Sequence, residues 1–226
     1  MIARPGQGIA LVSPNGCRVL PYTPPRLGWP VWRSSTPAVF LDRDGVINVN
    51  RPDHVKSWTE FEFLPGALEA LARLAALELP VIVVTNQAIV NRGMVPQPVV
   101  DEINCRMAAE IVRAGGRIDA VVYCPHRPEE ACQCRKPQPG LLLEAARRYR
   151  LDLRRSVLVG DALSDIEAGQ AAGCQTILVL TGRGAEQHAL AARQGRNGYL
   201  VAQDLGEAVE LLVAAGLARQ AARRTR

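Results

Sequence analysis

Short apolar runs recur along this chain at residues 39–41, 81–84, 120–123, 157–159 and 176–180, separated by stretches of helical period. A run of three to five apolar residues bounded by proline, glycine or polar residues suits a strand buried on both faces. Between the runs, Leu68, Leu71, Leu74 and Leu77 share one helical face up to Pro80. Val99, Val100, Ile103, Met107, Ile111 and Val112 share another, opened by Pro98 and closed by Gly115-Gly116. A third helix is expected over 139–149, a fourth from the end of the 157–159 run to a Gly173 cap, and a last one over 205–215. The Gly182/Gly184 stretch reads as a loop and residues 199–201 as a short strand. Alternation of this kind predicts an α/β fold, a doubly wound (Rossmann-like) parallel sheet with helices on both faces.

Parallel strands present their carboxyl ends on one edge, so polar residues that follow different runs converge there. Asp42 and Asp44 follow the first run, Thr85 and Asn86 the second, Lys136 comes a little beyond the third, and Asp161 follows the fourth. An Asp-x-Asp-Gly segment can be an ordinary turn. Two carboxylates this close otherwise call for a cation or a bound proton. Three carboxylates beside one lysine suit a phosphate ester, with Mg²⁺ bridging carboxylate and phosphoryl oxygens and the ammonium offsetting the remaining charge. One aspartate can then attack phosphorus while the second protonates the leaving oxygen and later activates water.

Cys124, His126, Cys132 and Cys134 lie within eleven residues, immediately before Arg135-Lys136. Three thiolates and an imidazole fit a closed tetrahedral Zn²⁺ site with a structural role; a disulfide is the alternative. Cys17, Cys105 and Cys174 have no such partners nearby and read as plain thiols. Of the other histidines, His188 reads as solvated and His54 as part of the loop over the site.

At 226 residues the chain suits one domain with appendages. We expect an irregular Pro/Gly-rich arm over 1–36 carrying Trp29 and Trp32, a catalytic domain over 37–216 and a basic tail over 217–226. Of 27 basic residues, eight arginines fall in the acid-free ends 1–36 and 219–226, leaving 19 basic residues against 22 acidic ones. That distribution argues against a nucleic-acid groove on the domain. No apolar run reaches the roughly 20 residues of a membrane span. The first ten residues, broken by Pro5, Gly6 and Gly8, do not read as a signal peptide. A cytoplasmic monomer that binds neither nucleic acid nor membrane is expected.

Taken together, Asp42-x-Asp44-Gly45, Thr85, Lys136 and Gly160-Asp161-x-x-x-Asp165 resemble the four motifs of the haloacid dehalogenase superfamily, in its phosphatase branch, over residues 38 to about 184. The resemblance implies Asp42 as nucleophile, Asp44 as general acid/base, and Thr85 and Lys136 as phosphoryl-binding groups. It further implies Mg²⁺ on Asp42, the Asp44 carbonyl and Asp161, with Asp165 behind them. Asp165 has a second reading, since Ser164-x-x-Glu167 is a capping box and the helix dipole favours an acid in the first turn. Residues 41–48, Thr85-Asn86-Gln87, Arg92-Gly93, Tyr123–His126 and Cys134–Gly140 are similar to the D-glycero-D-manno-heptose 1,7-bisphosphate 7-phosphatases. Histidinol-phosphate phosphatases share the zinc loop and most motifs. Only about 40 residues separate Asp44 from Thr85, which leaves no room for a cap domain. Substrate selection then falls to loops, and the resemblance carries substrate-binding roles to Arg43, Asn50, Arg51, Asp53, Asn86, Gln87, Arg92 and Arg135. Ala162 stands where some members of that family have a basic residue, and Ala88-Ile89 replaces a common Ser-Gly. The expected activity is Mg²⁺-dependent removal of the 7-phosphate from the heptose bisphosphate; histidinol phosphate as substrate and a non-catalytic zinc-stabilised binding module are the alternatives.

Overall fold

The structure is a computed structural model that describes residues 9–13, 16–19 and 36–215. Trp29, Trp32 and the basic tail lie outside the described residues. Strands β1 (Ile9–Ser13) and β2 (Gly16–Val19) form an antiparallel hairpin. They are followed by β3 (Val39–Leu41), β4 (Val81–Asn86), β5 (Ala120–Cys124), β6 (Val157–Gly160), β7 (Gln175–Val179) and β8 (Leu200–Ala202). The sheet order is β2-β1-β5-β4-β3-β6-β7-β8, and the six strands from β5 to β8 are parallel. Strand order therefore reverses between β3 and β6, which opens a crevice at the carboxyl ends of those two strands.

The expectation of an irregular arm over 1–36 fails at the hairpin. β1 adds antiparallel to β5, with Ile9 opposite Val122. Without it, β5 would present an unpaired row of backbone donors and acceptors along one edge.

Among the described residues, six α-helices flank the sheet: α1 (Ala67–Ala75), α2 (Gln97–Arg113), α3 (Gly140–Tyr149), α4 (Leu163–Ala172), α5 (Gly184–Arg193) and α6 (Leu205–Ala214). Side chains alternate across each strand, and the two cores follow that alternation. Val39, Leu41, Val81, Val83, Val157 and Val159 pack on one face with Leu71 and Leu74 of α1, Ile103, Met107 and Ile111 of α2, and Val209 and Leu212 of α6. Phe40, Ile82, Val84, Val122 and Leu158 pack on the other with Leu141, Leu142 and Ala145 of α3 and Ala168 of α4. Both faces are thereby covered, which explains the near-continuous apolar reading of the strands.

Helix α5 replaces the loop expected around Gly184. A Cβ at Gly184 would collide with the Val179 carbonyl, so the glycine serves close packing at the helix start and not chain flexibility. The β3–α1 connection, residues 42–66, holds no cap domain. It is pinned by Trp58, Phe61 and Phe63, with Trp58 stacked on Phe61 at 5.0 Å and Phe63 edge-on to Phe61 at 5.0 Å. Among the described residues, no helix is long and apolar enough to cross a membrane.

Candidate active site

The tight turn after β3 builds the centre of the site. The Arg43 carbonyl accepts hydrogen bonds from the backbone N–H groups of Val46, Ile47 and Asn48, and Gly45 N–H donates to the Asn48 carbonyl at 2.7 Å. Gly45 has φ of 88°, and a Cβ there would collide with Asp161 Oδ2. Both constraints require glycine. Gly182, with φ of 58°, packs against the same carboxylate and against Gly45, and Arg183 N–H donates to Asp161 Oδ2 at 2.9 Å.

Lys136 is the hub. Its side chain is 2% exposed, and its ammonium reaches Asp42 Oδ1 at 2.7 Å, Asp165 Oδ1 at 2.5 Å and the Val84 carbonyl at 2.8 Å. Two of these contacts are hydrogen bonds, to Asp42 and to the Val84 carbonyl, and the contact with Asp165 is an ion pair. Burial alone would lower its pKa, but Asp165 and Asp42 outweigh burial and raise it, so it remains an ammonium. Asp165 serves two purposes at once, pairing with Lys136 and capping α4 by accepting from Ala162 N–H at 3.1 Å. The expected Ser164–Glu167 capping box does not form, because Ala162 is the N-cap and the helix begins at Leu163, two residues earlier than that box requires, and Glu167 pairs with Arg196.

Asp42 is pushed up to about 7, by burial first, against the opposing charge of Lys136 and with Asp165, Asp161 and Asp44 adding to the rise. Asp161, fully buried, is raised by burial and by Asp165 in spite of Arg183. Asp44 differs: burial is outweighed by the Arg43 charge and by hydrogen bonds from Asn48, Arg43 and Gln87, which lower its pKa. Arg43 Nη2 lies 3.0 Å from both Asp44 oxygens, Asn48 Nδ2 2.9 Å from Oδ1 and Gln87 Nε2 2.8 Å from Oδ2. Gln87 also donates to Thr85 Oγ1 at 3.0 Å. Oxygens of Asp42, Asp161 and Asp165 lie within 4.8 Å of one another. Burial has raised two of these three carboxyls, the signature of a carboxylate cluster that a hard divalent cation would relieve.

Most of these groups line a cavity of about 680 Å³, within the range of small-molecule sites, but the fully buried Asp161 is not part of its wall. Its wall takes in Asp42, Asp44, Asn50, Arg51, Thr85, Asn86, Gln87, Arg135, Lys136 and Asp165 of the expected residues. Three of the residues expected to touch substrate stand elsewhere. Arg43 is 1% exposed and its guanidinium is spent on Asp44 and on Asn104 Oδ1 at 3.0 Å, which leaves it beneath the cavity. Asp53 points to Lys56 Nζ at 2.6 Å, a contact that holds its carboxyl down to about 2, and it is not part of the wall. Arg92 is likewise outside the wall and meets His54 Nε2 at 3.1 Å. Asn86 reaches the wall, but its amide is committed twice to the Lys136 backbone, accepting from its N–H and donating to its carbonyl, each at 3.1 Å. His54, expected in the loop over the site, lines the cavity, and Ser164, Gly182 and Arg183 line it without having been singled out for it. Arg183 could have been found from its place in the loop after the fifth apolar run, since that loop also ends at the sheet edge.

The zinc-type cluster forms beside Lys136. Sγ of Cys124 lies 3.5 Å from Cys132 Sγ and 3.3 Å from Cys134 Sγ, the latter two are 3.4 Å apart, and His126 Nδ1 is 3.4 Å from Cys124 and 3.2 Å from Cys134. These separations are too long for a disulfide, near 2.05 Å. They approach the edges of about 3.5–3.8 Å that Zn–S and Zn–N bonds of roughly 2.3 and 2.0 Å give a tetrahedron. Arg135 N–H donates to Cys132 Sγ at 3.3 Å, so the cluster fixes the backbone next to Lys136. Cys174 is a buried thiol, pushed up to about 12 by burial. Cys105 is disulfide-bonded, not the plain thiol expected. His188 is not merely solvated, since its Nδ1 lies 3.1 Å from the Tyr199 hydroxyl.

A doubly wound sheet with an aspartate pair after its central strand, and a lysine clamped between carboxylates at its edge, defines a haloacid dehalogenase-like hydrolase. A family model described as HAD-hydrolase-like matches residues 133–208. The D-glycero-beta-D-manno-heptose-1,7-bisphosphate 7-phosphatase of Bordetella bronchiseptica is 40% identical over 175 residues, 77% of this chain and 97% of that protein. Its namesake from Pseudomonas aeruginosa is 40% identical over 146 residues, 65% of this chain and 82% of that protein. The crystal structure of D,D-heptose 1,7-bisphosphate phosphatase from B. bronchiseptica, complexed with magnesium and phosphate, superposes with a TM-score of 0.75 at 39% identity, covering 80% of this chain and 99% of that one. The chain belongs to the D-glycero-β-D-manno-heptose-1,7-bisphosphate 7-phosphatase family.

Proposed function

We propose that this protein is a Mg²⁺-dependent phosphatase that removes the 7-phosphate of D-glycero-β-D-manno-heptose 1,7-bisphosphate through an aspartyl-phosphate intermediate. The observation that carries the reading is Lys136, held by Asp42 and Asp165 at the floor of the cavity. Asp42 attacks phosphorus with Oδ2 while Lys136 engages its Oδ1, and the P–O bond to the sugar breaks. Asp44, held ionised in the free protein, takes up a proton when the phosphate ester binds and gives it to the departing sugar oxygen; it then takes one from the water that attacks the aspartyl phosphate, which restores Asp42 and releases inorganic phosphate. Thr85 and Lys136 hold the phosphoryl oxygens. Asp42, Asp161 and the Asp44 carbonyl would hold Mg²⁺, whose charge, when bound, offsets that of the phosphoryl group.

The second phosphate needs cations at the cavity wall, and Arg135 and Arg51 supply them. Arg135 is anchored through Nη1 to the His126 carbonyl at 3.2 Å, which ties this cation to the cysteine loop. Zn²⁺ on Cys124, His126, Cys132 and Cys134 has a structural role, holding the segment that delivers Arg135 and Lys136.

Phosphate release from the heptose 1,7-bisphosphate anomers and from histidinol phosphate, with Mg²⁺ and with EDTA, tests the proposal. The β-heptose substrate with Mg²⁺ is expected to be fastest. A preference for histidinol phosphate by orders of magnitude, or turnover unaffected by EDTA, would overturn it.

A further inference from the structure

Asn104 is a polar residue that the proposed reaction leaves without a task. It lies on the face of α2 formed by Val100, Ile103, Met107 and Ile111, and it is 0% exposed. A leucine of similar volume would fill that place without a polar group to satisfy. Asn104 Nδ2 has no hydrogen-bond partner among the described residues, so the amide is only half satisfied. Its other half, Oδ1, accepts from Arg43 Nη1 at 3.0 Å. Retaining a costly buried amide points to work done through that one bond.

Arg43 is the relay. Its guanidinium is planar and rigid, so fixing Nη1 also sets the direction of Nη2, which contacts both oxygens of Asp44 at 3.0 Å. Asn48 and Gln87 hold Asp44 as well, one on each oxygen. Arg43 alone spans the two oxygens, and so it sets the rotation of the carboxyl plane. Being 1% exposed, it has no route to the substrate itself.

We infer that Asn104 is a positioning residue, which acts through Arg43 to orient the Asp44 carboxyl toward the leaving oxygen. This rests on the proposed role of Asp44 as proton donor. When the P–O bond breaks, the electron pair stays on the sugar oxygen and the Asp44 proton goes to it. An alkyl phosphate needs that proton. Nitrophenolate leaves without one, so p-nitrophenyl phosphate does not.

The test is kcat/KM, which reports steps through release of the first product, for Asn104→Leu and Asn104→Asp on the heptose bisphosphate and on p-nitrophenyl phosphate. Asn104→Leu is expected to lose at least about tenfold more on the sugar phosphate than on the aryl phosphate. Asn104→Asp keeps an acceptor at the same place and is expected to stay within about threefold of wild type on both. Should Asn104→Leu not fold, Asn104→Ala is read on the same ratio. Equal losses on the two substrates, no loss on either, or a selective loss in Asn104→Asp as large as in Asn104→Leu would overturn the role of Asn104 alone. A wild-type protein inert on both substrates would instead contradict the phosphatase reading.

Discussion

Replacing Lys136 by methionine removes one cation from a buried triad and leaves Asp42 and Asp165 facing each other. The ammonium makes three contacts, at 2.7, 2.5 and 2.8 Å, and neither carboxylate has solvent to turn to, at 6% and 1% exposure. Removing one partner of a buried pair typically costs about 3–5 kcal/mol. Two features place this case near the lower end. Asp42 is already pushed up to about 7 and so takes up a proton readily, and Asp165 keeps its bond from Ala162 N–H. We therefore expect Lys136→Met to lose about 3 kcal/mol in urea unfolding of the metal-free protein at neutral pH. In the Asp42→Asn background, where one charge is already gone, the same change is expected to cost about 1–2 kcal/mol less. A loss below about 1 kcal/mol, or the same loss in both backgrounds, would refute the triad as the structural centre of the site.

Three further outcomes follow from the geometry. Asn86→Ala removes both bonds to the Lys136 backbone, so kcat is expected to fall by about tenfold or more and stability by about 1–2 kcal/mol, read by steady-state kinetics and urea melts. Cys132→Ser is expected to cost the bound zinc, lower the thermal midpoint and reduce turnover together; metal analysis showing no zinc in the wild-type protein would contradict the assignment. Gly45→Ala meets Asp161 Oδ2 and a left-handed backbone, so a loss of about 1–2 kcal/mol is expected along with a higher Mg²⁺ requirement; unchanged Mg²⁺ dependence would argue against Asp161 as a ligand.

Much of the fold was legible because buried parallel strands leave an unmistakable mark. The runs that became β3 to β7 are apolar on both faces, and each is followed by a helical repeat or a proline. The hairpin was hidden for a different reason. Ile9-Ala10-Leu11-Val12 is an apolar run as long as that of residues 81–84, but Pro5, Gly6, Gly8 and Pro14 crowd around it and make the whole stretch read as irregular. Helix α5 was missed because Gly182 and Gly184 resemble a loop; only the position of the Val179 carbonyl explains why a helix starts with glycine there.

The site separated along a similar line. Asp42, Asp44, Lys136 and Asp161 could be placed at the sheet edge because sheet topology alone brings strand ends together. Direction of side chains was not available in the same way. Arg43 looked like a substrate cation and lies buried, and Asp53 looked like a substrate contact and is held by Lys56. Asn86 reads as a ligand for the sugar, and its amide is committed to the Lys136 backbone, while Asn104 sits 61 residues from Arg43 in a helix whose pattern reads as core.

The central claim is that Asp42 becomes covalently phosphorylated, and Asp42→Asn tests it most directly. The asparagine retains an Oδ1 that can accept from Lys136 and keeps nearly the same volume, but it cannot act as the nucleophile. Phosphate release from the heptose 1,7-bisphosphate at saturating Mg²⁺ is expected to fall by at least about a thousandfold while the variant keeps its fold by circular dichroism. Retention of more than about a tenth of the wild-type rate would contradict the mechanism.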